Sequence, residues 1–457
     1  MNRYFCLTLI CSFSSFLHAQ QNDSIRIRAI FSEALLHGES YDNLDYLSNK
    51  IGGRLSGSPQ AAAAVDFCTQ TLKKLHPDTV YLQECMVPHW IRGEKEKARI
   101  ITSKGSSQEV KISALGGSVA TPSKGIKATV VEVKSLDEIA TLGRKGIEGK
   151  IVFFNRPFDK TKISTFEAYG GAVDQRWAGP SKAAQYGAVA TICRSMTPDI
   201  NDYPHTGSMR YNDSFPQIPC CAISTLGAEK LSALLKNDPD LRFWYKQTCK
   251  TLPDVKSYNV IAVLKGSDYP EEIIDVGGHL DSWETGDGAS DDGTGIVQSM
   301  EVIRLFKAMR LKPKRTIRVI MFMNEENGTR GGKAYATEAK EKNEKHILAL
   351  ESDRGGFSPR GFSTDMSDAK KGKILSWAHY FLPYGLYDFS QTGGGSDIEP
   401  LKKLMDVPLM ELVPDPQRYF DIHHNANDKF SMVSRRELEL GGAGMASMIY
   451  LLSEYGL

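Results

Sequence analysis

The sequence predicts an α/β protein: a mixed central sheet flanked by helices, with a mostly β block inserted into it. Three observations predict this. After Ser257, short apolar runs alternate with longer runs of helical period, the pattern of strand and helix units around one sheet. Four of those apolar runs lead to a carboxylate or a His. Ile273–Val276 leads to His279, Thr316–Met323 to Glu325 and Glu326, His346–Leu350 to Asp353, and Pro408–Leu412 to His424. Between Gly116 and about Thr251 the texture changes to short strands separated by Gly and Pro turns, with few helical runs.

Residues 1–19 stand apart from the rest. A positive start at Asn2-Arg3, an apolar stretch from Tyr4 to Phe16 and the ending Leu17-His18-Ala19 read as a secretory signal peptide cleaved after Ala19. The expected location is therefore secreted or periplasmic. The stretch is too short to span a membrane, and no later run is long and apolar enough to do so. The remaining length has room for two domains, or for one domain with a large insertion. The expected organisation is 20–115 and 252–457 as two parts of one α/β unit, with 116–251 as the inserted block. Lys and Arg (56) nearly cancel Asp and Glu (55), which excludes a strong field for nucleic acid or a membrane surface. Of eight cysteines, Cys6 and Cys11 fall in the leader. The other six show no zinc-knuckle spacing, and disulfides or buried thiols fit them equally well.

Along the chain, 25–37 and 60–75 carry helical periodicity, with Ala63, Ala64, Phe67 and Leu72 on one face of the second. Ile51–Ser58 is a Gly/Ser loop, either a connector or a cleft wall. Val80–Gln83 and Ala98–Ile101 read as strands. In the inserted block Ala128–Val133, Lys150–Asn155, Ala188–Cys193 and Pro219–Ile223 are strands, and 224–236 is its clearest helix. The block holds few clustered metal-type residues, so it is expected to shape access rather than do chemistry. Beyond it, Asn259–Leu264 is a strand, and 294–309 is a helix with Ile296, Met300, Ile303 and Phe306 on one face. Thr316–Met323 is apolar enough for the centre of a sheet.

The stretch Asp275–Asp292 carries the chemistry. A strand breaks at Gly277-Gly278, presents His279 and Asp281, and runs through an acidic, Gly-rich loop to Asp291-Asp292 and a helix start. A His and carboxylates at a strand end can bind a borderline-soft divalent ion such as zinc. On this stretch alone, a packed His and a solvated acidic loop explain it equally well. Four such strand ends in one α/β unit favour the metal.

The set resembles the M28 family of di-zinc peptidases. The residues that carry the resemblance are His279-Leu280-Asp281-Ser282, the run GASDDGTG from Gly288, Asn324-Glu325-Glu326, Asp353 and His424. Ile51–Pro59 and Met86–Gly93 look like the plasma glutamate carboxypeptidase subfamily, and 116–251 is similar to the protease-associated domain inserted in many such enzymes. The resemblance implies two Zn2+ per chain, one held by His279 and Asp353, the other by Glu326 and His424, with Asp291 bridging. His424 rather than His423 matches the ligand, because the pattern places an acid four residues later, at Asp428. The resemblance also implies a cis peptide between Asp291 and Asp292, Glu325 as catalytic base, and Asp281 as the acid that orients His279.

The chemistry agrees. Adjacent side chains diverge at a strand end, so Glu325 is better read as the base that moves a proton than as a second ligand beside Glu326. Asp281, two residues from His279, can accept the imidazole's second N–H. The expected function is a secreted exopeptidase acting on small peptides or dipeptides, with a peptide substrate as partner. A homodimer is in keeping with similar enzymes, although the sequence shows no self-evident interface. The ligands do not say which peptide terminus is read. Two alternatives share the fold: a glutaminyl cyclase-like acyltransferase with one zinc, and a peptide-binding relative without activity. The full ligand set argues against both.

Overall fold

The computed structural model describes residues 22–457. The expected signal peptide, 1–19, lies outside the described residues. Seven strands form the first sheet: Thr79–Ile91 (β1), Lys250–Leu264 (β2), Tyr269–His279 (β3), Arg315–Phe322 (β4), Lys345–Glu351 (β5), Pro359–Asp365 (β6) and Leu409–Pro414 (β7). Their order across the sheet is β1-β2-β4-β3-β5-β7-β6. The four central strands β4, β3, β5 and β7 run parallel, and the antiparallel strands β1, β2 and β6 lie outside them. This is the mixed α/β sheet that the apolar runs predict.

The parallel centre explains those runs. A strand covered by helices on both faces has no solvent side, so it reads as continuously apolar rather than alternating. From Ile273 to His279, β3 is buried at every position. Helix Thr294–Ala308 is buried along almost its whole length, between the sheet and helix Arg435–Tyr455. Its Ile296, Met300, Ile303 and Phe306 join the main core with Met445, Ile449 and Leu452 of the last helix. Helix Pro59–Lys74 starts where the sequence says it should: Ser58 Oγ accepts the Ala61 N–H at 3.1 Å, and Pro59 follows at the first helical position.

A second sheet of eight strands lies in the middle of the chain. Its order is Ser107–Val110, Lys97–Ile101, Arg242–Lys246, Ile126–Val133, Ile151–Phe154, Ala190–Arg194, Cys220–Ile223 and Ile112–Ala114. Strands from Lys97 onward, before the expected start of the inserted block at 116, already pair in this sheet. A strand's local pattern does not reveal which sheet it joins, and Ala98–Ile101 finds its partners in Arg242–Lys246, far along the chain. The block also holds more helix than its turns suggest. Four of its strands are parallel, and Leu136–Ile147 and Gly179–Gln185 lie on two of the connections between them. All six described cysteines are buried thiols. Among the described residues no helix is long and apolar enough to cross a membrane.

Candidate metal centre

The parallel strands all end at one edge of the first sheet, and the acids and His residues gather there, where open α/β sheets place their sites. β3 delivers His279 as its last residue. The turn after β4 delivers Glu325 and Glu326, the turn after β5 delivers Asp353, and the loop before helix Thr294–Ala308 delivers Asp291. The loop after the short helix Tyr419–Ile422 delivers His424.

His279 is 1% exposed. Its Nδ1 lies 2.8 Å from the main-chain carbonyl of Asp281. A carbonyl can only accept, so Nδ1 carries the proton and Nε2 is left to face outward. Nε2 lies 3.2 Å from Asp291 Oδ1 and 3.3 Å from Asp353 Oδ1. On the other side His424 Nε2 lies 3.2 Å from both Asp291 Oδ2 and Glu326 Oε2. Asp291 thus turns one oxygen to each half. His423 reaches only Asp291, at 3.8 Å, and its ring stacks on that of His424. The Asp291–Asp292 peptide is cis.

This donor set fits divalent metal. Asp291 Oδ2 is buried and, beyond the approach of His424 Nε2, meets no hydrogen-bond donor among the described residues. His279, Asp291 and Glu326 each offer a ligand atom within 4.8 Å of one another, and so do Asp291, His423 and His424. Without a cation these groups must share protons awkwardly. Burial works to raise the Asp291 carboxyl, but the His279 and His424 imidazoles outweigh it and hold it well below the usual carboxylate range. Burial, followed by the Asp291 charge, pushes Glu326 up to about 8. Burial and the charges of Asp353 and Asp291 likewise raise Glu325. A buried concentration of like charge is what a bound cation relieves.

Asp281 has a different task from the one expected. Its Oδ1 lies 3.9 Å from His279 Nδ1, too far for a hydrogen bond. That oxygen instead accepts the main-chain N–H groups of Asn324 (2.6 Å) and Glu325 (3.0 Å). The carbonyl two residues after His279 reaches the imidazole first, and the carboxylate is left free to fix the Glu325-Glu326 turn.

Four further residues hold the centre in place. Asp292 accepts the His279 N–H through Oδ2 and the Gly295 N–H through Oδ1, both at 3.0 Å, tying the strand end to the helix start. Asp428 accepts the N–H groups of Ser290 (2.6 Å) and Asp291 (3.2 Å). Arg54, fully buried, donates from Nε to the Leu280 carbonyl at 2.6 Å and from Nη1 to the Gly288 carbonyl at 2.9 Å. Asn324 donates from Nδ2 to Ser56 Oγ at 2.7 Å. The Gly/Ser loop at Ile51–Ser58 is therefore a brace for the turns after β3 and β4. An arginine among small residues was its one visible signal.

A cleft of about 950 Å³ opens on Asp291, Glu325, Glu326, Asp353 and His424. Gly394, Gly395 and Ser396 line it, as do Tyr419 and Phe420. Those two rings pack against Phe166 and Tyr169 of the second-sheet block. The block reaches further still. The Thr206 N–H donates to the His424 carbonyl at 2.9 Å, and Ser208 Oγ donates to the Glu326 carbonyl. Shaping access is thus too narrow a description of it. A larger groove, about 1650 Å³, runs over the second sheet beside Lys97, Lys127 and Trp244, away from these residues.

The model for Peptidase family M28 matches residues 259–449, a span that contains all seven residues expected at the site. Carboxypeptidase Q from Bos taurus is 33% identical over 416 residues, covering 91% of this chain and 85% of that protein. The chain belongs to peptidase family M28. Among solved structures of the family, a Peptidase M28 precursor from Shewanella amazonensis superposes with a TM-score of 0.89 at 32% identity, covering 95% of this chain and 97% of that one. A zinc aminopeptidase from Bacillus subtilis shares the fold, with a TM-score of 0.66 at 20% identity over 90% of this chain and 94% of its own.

Proposed function

We propose that this M28 peptidase is a two-zinc exopeptidase that hydrolyses small peptides, exported on its leader, with Glu325 as general base. The observation that carries the reading is the division of Asp291. Its two oxygens address His279 and His424 separately, and each of those has its own acid beside it. His279 and Asp353 would hold one ion, Glu326 and His424 the other, with Asp291 between them. Zinc bound there supplies Lewis acidity to a carbonyl oxygen and makes water a competent nucleophile at neutral pH.

The chain's own residues do the rest. Glu325 faces the cleft beside Glu326 and Asp353, placed to take a proton from the attacking water and pass it to the departing amine. Asp281 holds that turn by two main-chain N–H groups, so the carboxylate of Glu325 keeps its aim. The Asp281 carbonyl keeps the His279 proton on Nδ1, leaving Nε2 free to ligate. Tyr419 and Phe420 limit water around the reacting bond. We read the block from Lys97 to Lys246 as an inserted domain of the protease-associated kind. The relatives that share a third of their residues bear the name carboxypeptidase, which favours attack at the C-terminal end.

The test is metal content per protomer together with a panel of free dipeptides, N-terminally blocked peptides and C-terminally blocked peptides. Two zinc ions and turnover of free and N-blocked peptides support the reading. One zinc with cyclisation of N-terminal Gln would replace it with the cyclase alternative, and stoichiometric metal with no turnover on any peptide would sink it.

A further inference from the structure

We propose that Arg176, which comes from the second-sheet block, is the positioning residue for one half of the metal centre: through Thr206–Ser208 it fixes Glu326 and His424. The inference rests on the two-zinc reading above.

Arg176 lies on the short helix Asp174–Trp177 and is 6% exposed. Among the described residues it forms no ion pair. Its guanidinium is spent on neutral acceptors: Nε donates to the Ser208 carbonyl (3.2 Å), Nη1 to the Thr206 carbonyl (3.3 Å) and Nη2 to the Tyr169 hydroxyl (2.8 Å). A planar fork that grips two carbonyls of one segment braces that backbone. The same segment grips the metal centre from its other face, through the Thr206 N–H on the His424 carbonyl and Ser208 Oγ on the Glu326 carbonyl.

Gly207 sits between the guanidinium and the His424 ring. Its φ is +126°, and a Cβ there would come within 2.7 Å of His424 Nδ1 and closer still to Arg176. His424 itself has φ +60°, a conformation that a His rarely keeps unless its surroundings hold it. The polar partners of His279, by contrast, are Asp281, Asp291 and Asp292, all in the first-sheet unit. The consequence is asymmetric: loosening the brace disturbs the Glu326 and His424 half and spares the His279 and Asp353 half. The segment also has anchors that do not involve Arg176. Thr206 Oγ1 donates to the Ala114 carbonyl at 2.7 Å, and the Gly116 N–H donates to the Gly207 carbonyl at 3.0 Å. Variants at 176 should therefore fold.

The test uses the full mature chain, stripped of metal and titrated with Zn2+ by calorimetry, with the thermal midpoint measured alongside. The wild type is expected to take two equivalents. Arg176→Gln and, independently, Gly207→Ala are expected to keep the affinity for one and to lose at least about tenfold for the other. The weakened equivalent is the one that His424→Ala removes, whereas His279→Ala removes its companion. Arg176→Lys keeps the charge without the fork and recovers less than half of the loss. Equal weakening of both equivalents, with a lowered midpoint, would make Arg176 a general stabiliser and overturn the proposal. So would unchanged zinc affinity with a KM that rises for peptides bearing a free C-terminal carboxylate but not for their amides, since Arg176 would then bind substrate. A wild type that takes fewer than two equivalents would overturn the reading beneath as well.

Discussion

Arg54 offers a sharp test of how the centre is held. It is among the largest side chains buried completely, and it spends its guanidinium on the carbonyls of Leu280 and Gly288, at either end of the loop that follows His279. Arg54→Met keeps the length and apolar stem but removes these donors. At about 1.5–3 kcal/mol for each hydrogen bond to a charged group, the two short bonds come to roughly 3–6 kcal/mol. Part of this returns, because Arg54 Nη2 is buried without a partner and burial works against the charge. A net loss of about 2–4 kcal/mol is expected, on the scale of breaking a buried polar network. The assay is urea denaturation of the metal-free protein, followed by the zinc-loaded protein. The loss should be larger with zinc, since the loop that Arg54 braces leads to Asp291. A change below about 0.5 kcal/mol in both states, the range of ordinary surface substitutions, would refute the reasoning.

Two further outcomes follow from buried groups away from the cleft. His346 packs between Asp275 (2.5 Å) and Glu344 (3.1 Å); burial works to lower its pKa, and the Asp275 charge outweighs it and raises the imidazole to about 9. Its contribution to stability is fully present below the unfolded value near 6.5, shrinks as pH rises from there and is gone above about 9; at roughly 1.4 kcal/mol per pH unit it amounts to about 3–4 kcal/mol. Thermal midpoints between pH 6 and 10 should fall for the wild type and run flatter for His346→Gln, and parallel curves would contradict the assignment. Burial also pushes the thiols of Cys68, Cys85, Cys193 and Cys220 up to about 12, so the native protein should react with a thiol reagent only on unfolding. Stoichiometric labelling of the folded protein within minutes would show that the burial is wrong.

The parts of the molecule legible in the sequence are those that local pattern controls. β3, β4, β5 and β7 are apolar because helices cover both their faces, and the His and acidic residues of the candidate site stand at their ends because a parallel sheet gathers those ends at one edge. Spacing alone could not assign the roles around His279, where a main-chain carbonyl does what the Asp281 carboxylate was expected to do. The start of the second sheet escaped for another reason: Lys97–Ile101 has the same texture whichever sheet it joins, and its partner strand lies at Arg242–Lys246. Least legible were the contacts of Thr206–Ser208 with His424 and Glu326, because hydrogen bonds accepted by main-chain carbonyls leave little trace in the identity of the accepting residue.

The central claim is that Glu325 moves the proton while its neighbour Glu326 holds metal. Glu325→Gln, assayed for zinc content and for kcat and KM on a cleaved dipeptide in one preparation, tests it most directly. The account predicts two zinc ions retained, KM nearly unchanged and kcat down by at least about 10²-fold. Loss of a zinc ion would place Glu325 among the ligands, and turnover within a few-fold of the wild type would move the proton transfer to another group; either result would contradict the account.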